Sequence, residues 1–126
     1  MPPERAGDRI ELRGLRASGV HGVLPEERTR AQPFELDLDL DVDLAPSAAS
    51  DRLADTVDYG AIAEIAVRVV SESASRDLLE SLAGSVADAV LGADPRIDAV
   101  TVTLRKLRPP LAVDVSTVGV AITRER

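Results

Sequence analysis

The 126-residue chain contains no cysteine and no tryptophan, and only one histidine, His21. Without cysteine it forms neither disulfides nor thiolate metal sites. With one imidazole, a site with two histidine ligands is impossible, and carboxylates plus one imidazole match zinc or iron poorly. We therefore expect a protein without a resident metal.

The chain also lacks long apolar runs and an excess of positive charge. No segment approaches the ~20 consecutive apolar residues that cross a bilayer, and residues 1–8 lack the apolar stretch of a signal peptide. The net charge of -7 argues against nucleic acid as a partner, because phosphate binding needs clustered Lys and Arg. We expect a cytoplasmic protein with a loose tail over residues 1–8 and a single domain over residues 9–126.

Two residue types are present once and therefore stand out. Lys106 is the only lysine among 15 Lys and Arg residues, and Tyr59 is the only tyrosine. A strong arginine bias can reflect the coding composition of a genome, which would leave Lys106 as an ordinary surface residue. An ammonium, however, can release its proton where a guanidinium cannot. Lys106 is thus also a candidate for proton transfer.

The clearest structural pattern lies over residues 34–44, where apolar residues alternate with Glu and Asp. This period of two predicts a half-buried strand. Further strands are predicted over residues 9–18 with a bend at Gly14, over 97–106 and over 116–123. Helices are predicted over 59–72, with Asp58 as N-cap, and over 77–91, with Gly92 as the stop. Their apolar stripes are predicted at Ile62, Ile65, Ala66 and Val69, and at Leu79, Leu82, Ala83, Val86 and Val90. Residues 45–57 are predicted as a linker with one short turn.

The order strand, strand, helix, helix, strand, strand predicts an α+β fold, with a four-stranded antiparallel sheet and two helices on one face. The acidic face of the second strand then points to solvent or to a subunit interface. Asp37, Asp39, Asp41 and Asp43 resemble the start of a calcium loop. Val42, where such a loop needs glycine, and the extended pattern favour a solvated face instead.

Two charged residues lie where their role is open on physical grounds. Lys106 shares the face of Val100, Val102 and Leu104, so it either reaches outward from the strand end or is buried beside carboxylates. Glu80 lies in the first turn of the second helix, where an anion is favourable in itself. The same carboxylate could accept hydrogen bonds from a ligand with adjacent N–H groups.

Four segments together resemble the dihydroneopterin aldolase family. They are residues 21–27 (HGVLPEE) with 31–34 (AQPF), residues 55–60 (DTVDYG), residues 78–80 (LLE), and Lys106 with residues 109–111 (PPL). They occur in the order and spacing of the family. The chain departs from it at Ala31, where Gly is usual, and in the two residues that separate Lys106 and Pro109. It also departs in the absence of an aromatic residue from residues 111–117.

The resemblance implies the tunnelling fold and metal-free cleavage of 7,8-dihydroneopterin in folate biosynthesis, with no cofactor. It implies a homo-oligomer, either a tetrameric ring or an octamer, with active sites between subunits. Lys106 would be the acid/base, Glu27 would orient it, and Tyr59 would handle a proton at the cleaved carbon. Glu80 would bind the pterin amino group and ring N–H, and backbone groups near Thr56, Val57 and Leu79 would seat the ring.

Two alternatives share this fold. One is a dihydroneopterin triphosphate 2'-epimerase, against which residues 21–22 and 109–110 favour the aldolase. The other is a non-catalytic pterin-binding protein. The presence of Glu27, Tyr59, Glu80 and Lys106 in one chain argues against it.

Overall fold

The computed structural model describes residues 7–126 and confirms the α+β class. Its sheet is antiparallel, with the four strands in sequence order, and its two long helices pack side by side on one face of the sheet. The elements in chain order are β1 (Arg9–Gly19), β2 (Gln32–Asp41), α1 (Ala45–Ser50), α2 (Tyr59–Glu72), α3 (Leu79–Ala93), β3 (Ala99–Lys106) and β4 (Val118–Glu125).

The alternation in β2 sorts its side chains as predicted. Four apolar residues on the inner face are completely buried beneath the helices: Phe34, Leu36, Leu38 and Leu40. The strand ends at Asp41 and not at residue 44. The Val42 N–H donates to the backbone oxygen of Asp8, which is the next pair in the β1–β2 register. The Leu44 N–H donates to the Asp8 side chain, so at that residue a side chain replaces the neighbouring strand.

The outer face of β2 carries paired carboxylates. Arg105 lies 2.8 Å from Asp37 and 3.1 Å from Glu35, and Arg13 lies 2.7 Å from Asp39. The predicted bend at Gly14 is present as a register shift between β1 and β2, and the Gly14 N–H donates to Asp37. The acidic face is therefore matched by arginines of the neighbouring strands, which the sequence analysis did not predict.

The helix α2 has the predicted bounds, and Asp58 caps it by accepting from the N–H groups of Gly60 and Ala61. Its fully buried residues are Ile62, Ala66 and Val70, whereas the predicted stripe residues Ile65 and Val69 are only half-buried. The buried stripe of α3 is as predicted, at Leu82, Ala83, Val86 and Val90, with Leu79 half-buried at its start.

The predicted stop of α3 at Gly92 is wrong, since the helix runs through it to Ala93. Arg126 explains the difference. Its guanidinium donates to the carbonyl oxygens of Leu91, Asp94 and Ile97, and so supplies the end of the helix with hydrogen-bond donors. A cap supplied from the far end of the chain leaves no local signal near Gly92.

One further prediction is corrected by the structure, and another lies partly outside the described residues. The predicted linker over 45–57 contains the helix α1 and a 3-10 turn, Leu53–Asp55. Residues 1–6 of the predicted tail lie outside the described residues, but Asp8 is bound to Val42 and Leu44. Within residues 7–126, the helices are too short or too polar to cross a membrane.

The contacts of Arg126 lead to a stability prediction. Arg126→Ala removes donors from three carbonyl groups, and we expect a loss of about 1–2 kcal/mol. Thermal unfolding at a fixed protein concentration measures it. Arg124→Ala is the control, because within residues 7–126 its guanidinium forms one hydrogen bond, to the adjacent Thr123 carbonyl. Equal midpoints for the two variants would contradict this account of the helix end.

Candidate active site

Lys106 and Glu27 form a buried ion pair. Lys106 ends β3 and lies opposite Phe34 in the register, on the face shared with Leu104. Its Nζ lies 2.7 Å from Oε2 of Glu27, and the two side chains are 15% and 6% exposed. Of the two alternatives for Lys106, burial beside a carboxylate is therefore correct. The contact places an ammonium and a carboxylate side by side, which are groups that can take part in acid–base chemistry.

A 3-10 turn, Pro25–Glu27, carries the carboxylate to this position. Burial tends to raise the pKa of Glu27, but the hydrogen bond from Lys106 and the N–H of Leu24 outweigh it, so the pKa is lowered from its ordinary value of 4.5. The Gln32 amide acts in the same direction. Glu27 is thus held as the charged partner of Lys106.

The preceding residues make room for this carboxylate. Gly22 has φ +144, and a Cβ there would lie 2.4 Å from the Glu27 carboxyl carbon, so any side chain would displace it. The neighbouring imidazole of His21 is buried, with Nε2 donating to the Val70 carbonyl and Nδ1 accepting from the Arg76 N–H. This pair of bonds ties the loop to both ends of the α2–α3 connection.

Beside the pair lies a groove of about 340 Å³ with an apolar wall that includes Val23, Leu24 and Leu79. This is near the lower end of the usual size of ligand pockets, ~300–1,000 Å³. Glu80 also lines it, with an exposed carboxylate that has no hydrogen bond or ion pair within residues 7–126. The groove therefore offers a free acceptor next to the Lys106–Glu27 ion pair.

The first turn of α3 adds donors at the same place. Its N-cap residue is Leu78, which has no side-chain acceptor. The first N–H groups of a helix have no partner within the helix. The Leu79 N–H is therefore open for a ligand carbonyl, next to the Glu80 carboxylate.

The other three candidate residues lie elsewhere in the protomer. Thr56 is bound to Arg96, which precedes β3, whereas Lys106 ends it. The eight residues of that strand span about 23 Å at ~3.3 Å a step. Val57 is buried, and Tyr59 is 61% exposed at the start of α2. One copy of the chain thus brings together Glu27, Leu79, Glu80 and Lys106, but not Thr56, Val57 and Tyr59.

Two residues at or beside the groove have no role in the predictions from sequence. Gln32, whose amide donates to the His21 carbonyl, supports Glu27, and only its place in the 31–34 segment pointed to it. Asp77 at the groove is paired with Arg28 at 2.9 Å, a contact over 49 residues without a local signal. Over the described part of the chain, no three His, Cys, Asp or Glu side chains cluster to hold a metal ion.

The fold and the groove define a class of protein: an α+β protein with a groove of small-ligand size that is lined by a lysine–glutamate ion pair. Comparisons with known proteins give the family. Residues 10–123 match the family model for dihydroneopterin aldolase. The chain is 46% identical to dihydroneopterin aldolase 2 of Arabidopsis thaliana over 123 residues, which cover 95% of this chain and 92% of that one. It is 43% identical to the dihydroneopterin aldolase of Streptomyces coelicolor, over 94% of this chain and 98% of the other.

A solved structure agrees with the sequence relatives. Escherichia coli dihydroneopterin aldolase in complex with neopterin superposes with a TM-score of 0.83 at 31% identity, covering 93% of this chain and 98% of that one. The chain belongs to the dihydroneopterin aldolase family, whose members are carbon–carbon lyases.

The lowered pKa of Glu27 leads to a pH prediction. A carboxyl whose pKa is lowered by folding stabilises the protein above its ordinary value of 4.5 and loses that effect as the pH falls through the folded value. Near neutral pH, Glu27→Gln should cost about 1–3 kcal/mol of unfolding free energy. The difference from the wild type should shrink below the ordinary value.

Urea unfolding at several pH values measures this difference, with the exposed neighbour Glu26 replaced by Gln as the control. A gap that stays constant into acid would show that the charge of Glu27 does not stabilise the fold.

Proposed function

We propose that this chain cleaves the C1'–C2' bond of 7,8-dihydroneopterin, giving 6-hydroxymethyl-7,8-dihydropterin and glycolaldehyde in folate biosynthesis. The observation that carries the proposal is the buried Lys106–Glu27 pair in the same groove as the free Glu80 carboxylate. Family membership supports the substrate class. So does the neopterin bound to the E. coli relative.

In this proposal, the first turn of α3 recognises the pterin ring. The Glu80 carboxylate accepts from the ring's amino group and the adjacent ring N–H, which present two donors side by side. The Leu79 N–H donates to the ring carbonyl. Val23 and Leu24, both exposed in the protomer, cover the ring with apolar surface.

Lys106 then acts on the side chain of the substrate. The Lys106 ammonium of the resting ion pair first gives up a proton to solvent. The resulting neutral amine takes the proton of the 2'-hydroxyl, the C1'–C2' bond breaks, and the electron pair enters the ring imine. Glycolaldehyde leaves, and a proton delivered through Tyr59 to C1' completes the hydroxymethyl product. Glu27 orients the Lys106 amine. Because the pterin ring is itself the electron sink, the proposed reaction needs no metal or cofactor.

Before glycolaldehyde leaves, attack of the ring fragment's C1' on the opposite face of the aldehyde carbonyl would re-form the bond with inverted C2', which is 2'-epimerisation by the same groups. The triphosphate substrate of an epimerase is less suited to the groove. Among the described residues that line it, Lys106 is the one cation, and it is already paired with Glu27. We propose the unphosphorylated pterin as the substrate and the cytoplasm as the place of the reaction.

We further propose that the complete site lies between subunits of a ring, as a tetramer or an octamer. Tyr59 and Thr56 are separated from Lys106 by about the length of β3, so a ligand in the groove reaches them only from a neighbouring copy. Exposed apolar side chains beside each of the two separated groups of site residues support such a contact. Leu53, near Thr56, is 76% exposed, and Leu111, at the groove, is 53% exposed. The open edges of β1 and β4 offer further pairing.

The proposed reaction is tested by incubating the protein with 7,8-dihydroneopterin in excess chelator and separating the pterin products. We expect 6-hydroxymethyl-7,8-dihydropterin at the same rate with and without chelator. An unchanged substrate would overturn the proposed activity. Loss of turnover in chelator, restored by a divalent ion, would overturn the metal-free mechanism alone.

The role of Lys106 leads to a prediction for Lys106→Arg. Arginine keeps the charge beside Glu27 but, with an ordinary pKa above ~12, does not release its proton near neutrality. We expect a folded variant that binds pterin but cleaves it about 10²–10⁴-fold more slowly. Single-turnover kinetics and pterin titration measure the two effects.

The control for this variant is Arg108→Lys, the reverse exchange at an exposed position two residues further on. Near-normal turnover of Lys106→Arg would mean that positive charge suffices and that another group transfers the proton.

The role of Glu80 leads to a prediction for Glu80→Gln. The amide presents a donor to one of the two ligand donors, and pterin binding should weaken by about 2–3 kcal/mol, or roughly 30- to 150-fold. Equilibrium titration with neopterin measures it. Glu64→Gln, an exposed change on α2, is the control. Unchanged affinity in the Glu80 variant would place the pterin elsewhere.

A further inference from the structure

Arg96 forms hydrogen bonds with the backbone segment that leads to Tyr59. Its guanidinium donates to the carbonyl oxygen of Thr56 and, at 3.0 Å, to that of Ala54. Asp94 fixes the base of this arm, because its carboxylate accepts from the Arg96 N–H at 2.9 Å and lies 3.7 Å from the guanidinium. The turn between α3 and β3 thus holds a segment 40 residues earlier in the chain.

The hydrogen bonds from Arg96 determine which backbone groups of this segment remain available to a ligand. The Thr56 N–H donates to the Leu53 carbonyl at 3.2 Å, and its own carbonyl is taken by Arg96. The backbone of Val57 has no hydrogen-bond partner within residues 7–126, while its side chain is buried in the core. Arg96 and the buried Val57 side chain together fix the point from which the chain reaches Tyr59.

We propose that Arg96 is a positioning residue of the active site, which holds residues 54–59 in the geometry that completes the groove of a neighbouring subunit. The inference rests on the proposed function, since it needs Tyr59 to act in that groove. Two observations support positioning over general stabilisation. The Arg96 side chain is 49% exposed, so it contributes little to the core. Its planar guanidinium donates to two carbonyls of the same segment at once, and the single ammonium of a lysine does not offer this fixed pair of donors.

Tyr59 supplies a direct probe of the segment. It is the only tyrosine in a chain without tryptophan, so intrinsic fluorescence reports on this position alone. In Arg96→Ala, time-resolved anisotropy should show a larger fast depolarisation of Tyr59. With 7,8-dihydroneopterin, KM should rise about tenfold while kcat changes less, because the seat of the ring loosens. Arg96→Lys should recover part of both effects.

Two controls separate this role from stability and from local charge. Arg13→Ala removes an ion pair with Asp39 on the outer face of the sheet, and Arg13 forms no hydrogen bond with residues 54–59 or 94–97. Arg52→Ala removes an exposed cation that lies 3.5 Å from Asp55, beside the same segment. Both should keep the Tyr59 depolarisation and the KM of the wild type, with assembly checked by light scattering.

Unchanged Tyr59 depolarisation in Arg96→Ala would show that Arg96 does not hold residues 54–59 in place. A looser Tyr59 with unchanged KM would overturn the positioning role, as would an equal rise in KM in Arg13→Ala. If the wild type itself does not cleave the substrate, the proposed function fails. The Tyr59 depolarisation then still decides whether Arg96 holds the segment.

Discussion

The alternation of side chains in β2 is the constraint on which the rest of the structure depends. The strand pairs with β1 on one side and β3 on the other, and its inner face forms the floor beneath both long helices. A slip of one residue would bring its carboxylates into the core and the leucines to the surface. The register fixed in this way sets Lys106 opposite Phe34, on the core side of the sheet.

A lysine on that side needs a partner, and the loop after β1 supplies it. Removing an ammonium and a carboxylate from water costs several kcal/mol for each ion, which only close pairing and further hydrogen bonds offset. Glu27 meets this condition through Lys106 and the Leu24 N–H, and the missing side chain of Gly22 leaves it space. Such pairs add little net stability, so a pair in this groove is best explained by its chemistry.

Local patterns predicted the parts of the fold that local forces determine. The period of two identified β2, and Asp58 marked the start of α2, because both signals act between near neighbours in sequence. The end of α3 could not be predicted, since Arg126 supplies its donors from outside the helix. For the site, strand parity left Lys106 with two alternatives. Only resemblance to a family connected it with Glu27, 79 residues earlier.

The separation of the candidate residues within one protomer is the feature that sequence spacing could not reveal. We propose that Lys106 of one copy and Tyr59 of a neighbouring copy act on the same bound substrate. Co-expression of Lys106→Arg with Tyr59→Phe, followed by purification of mixed oligomers, tests this claim most directly. Random mixing in a ring leaves half times half, or about a quarter, of the sites with both intact residues. Activity near a quarter of the wild-type value is predicted, and activity no higher than the mean of the two separate variants would contradict a site shared between subunits.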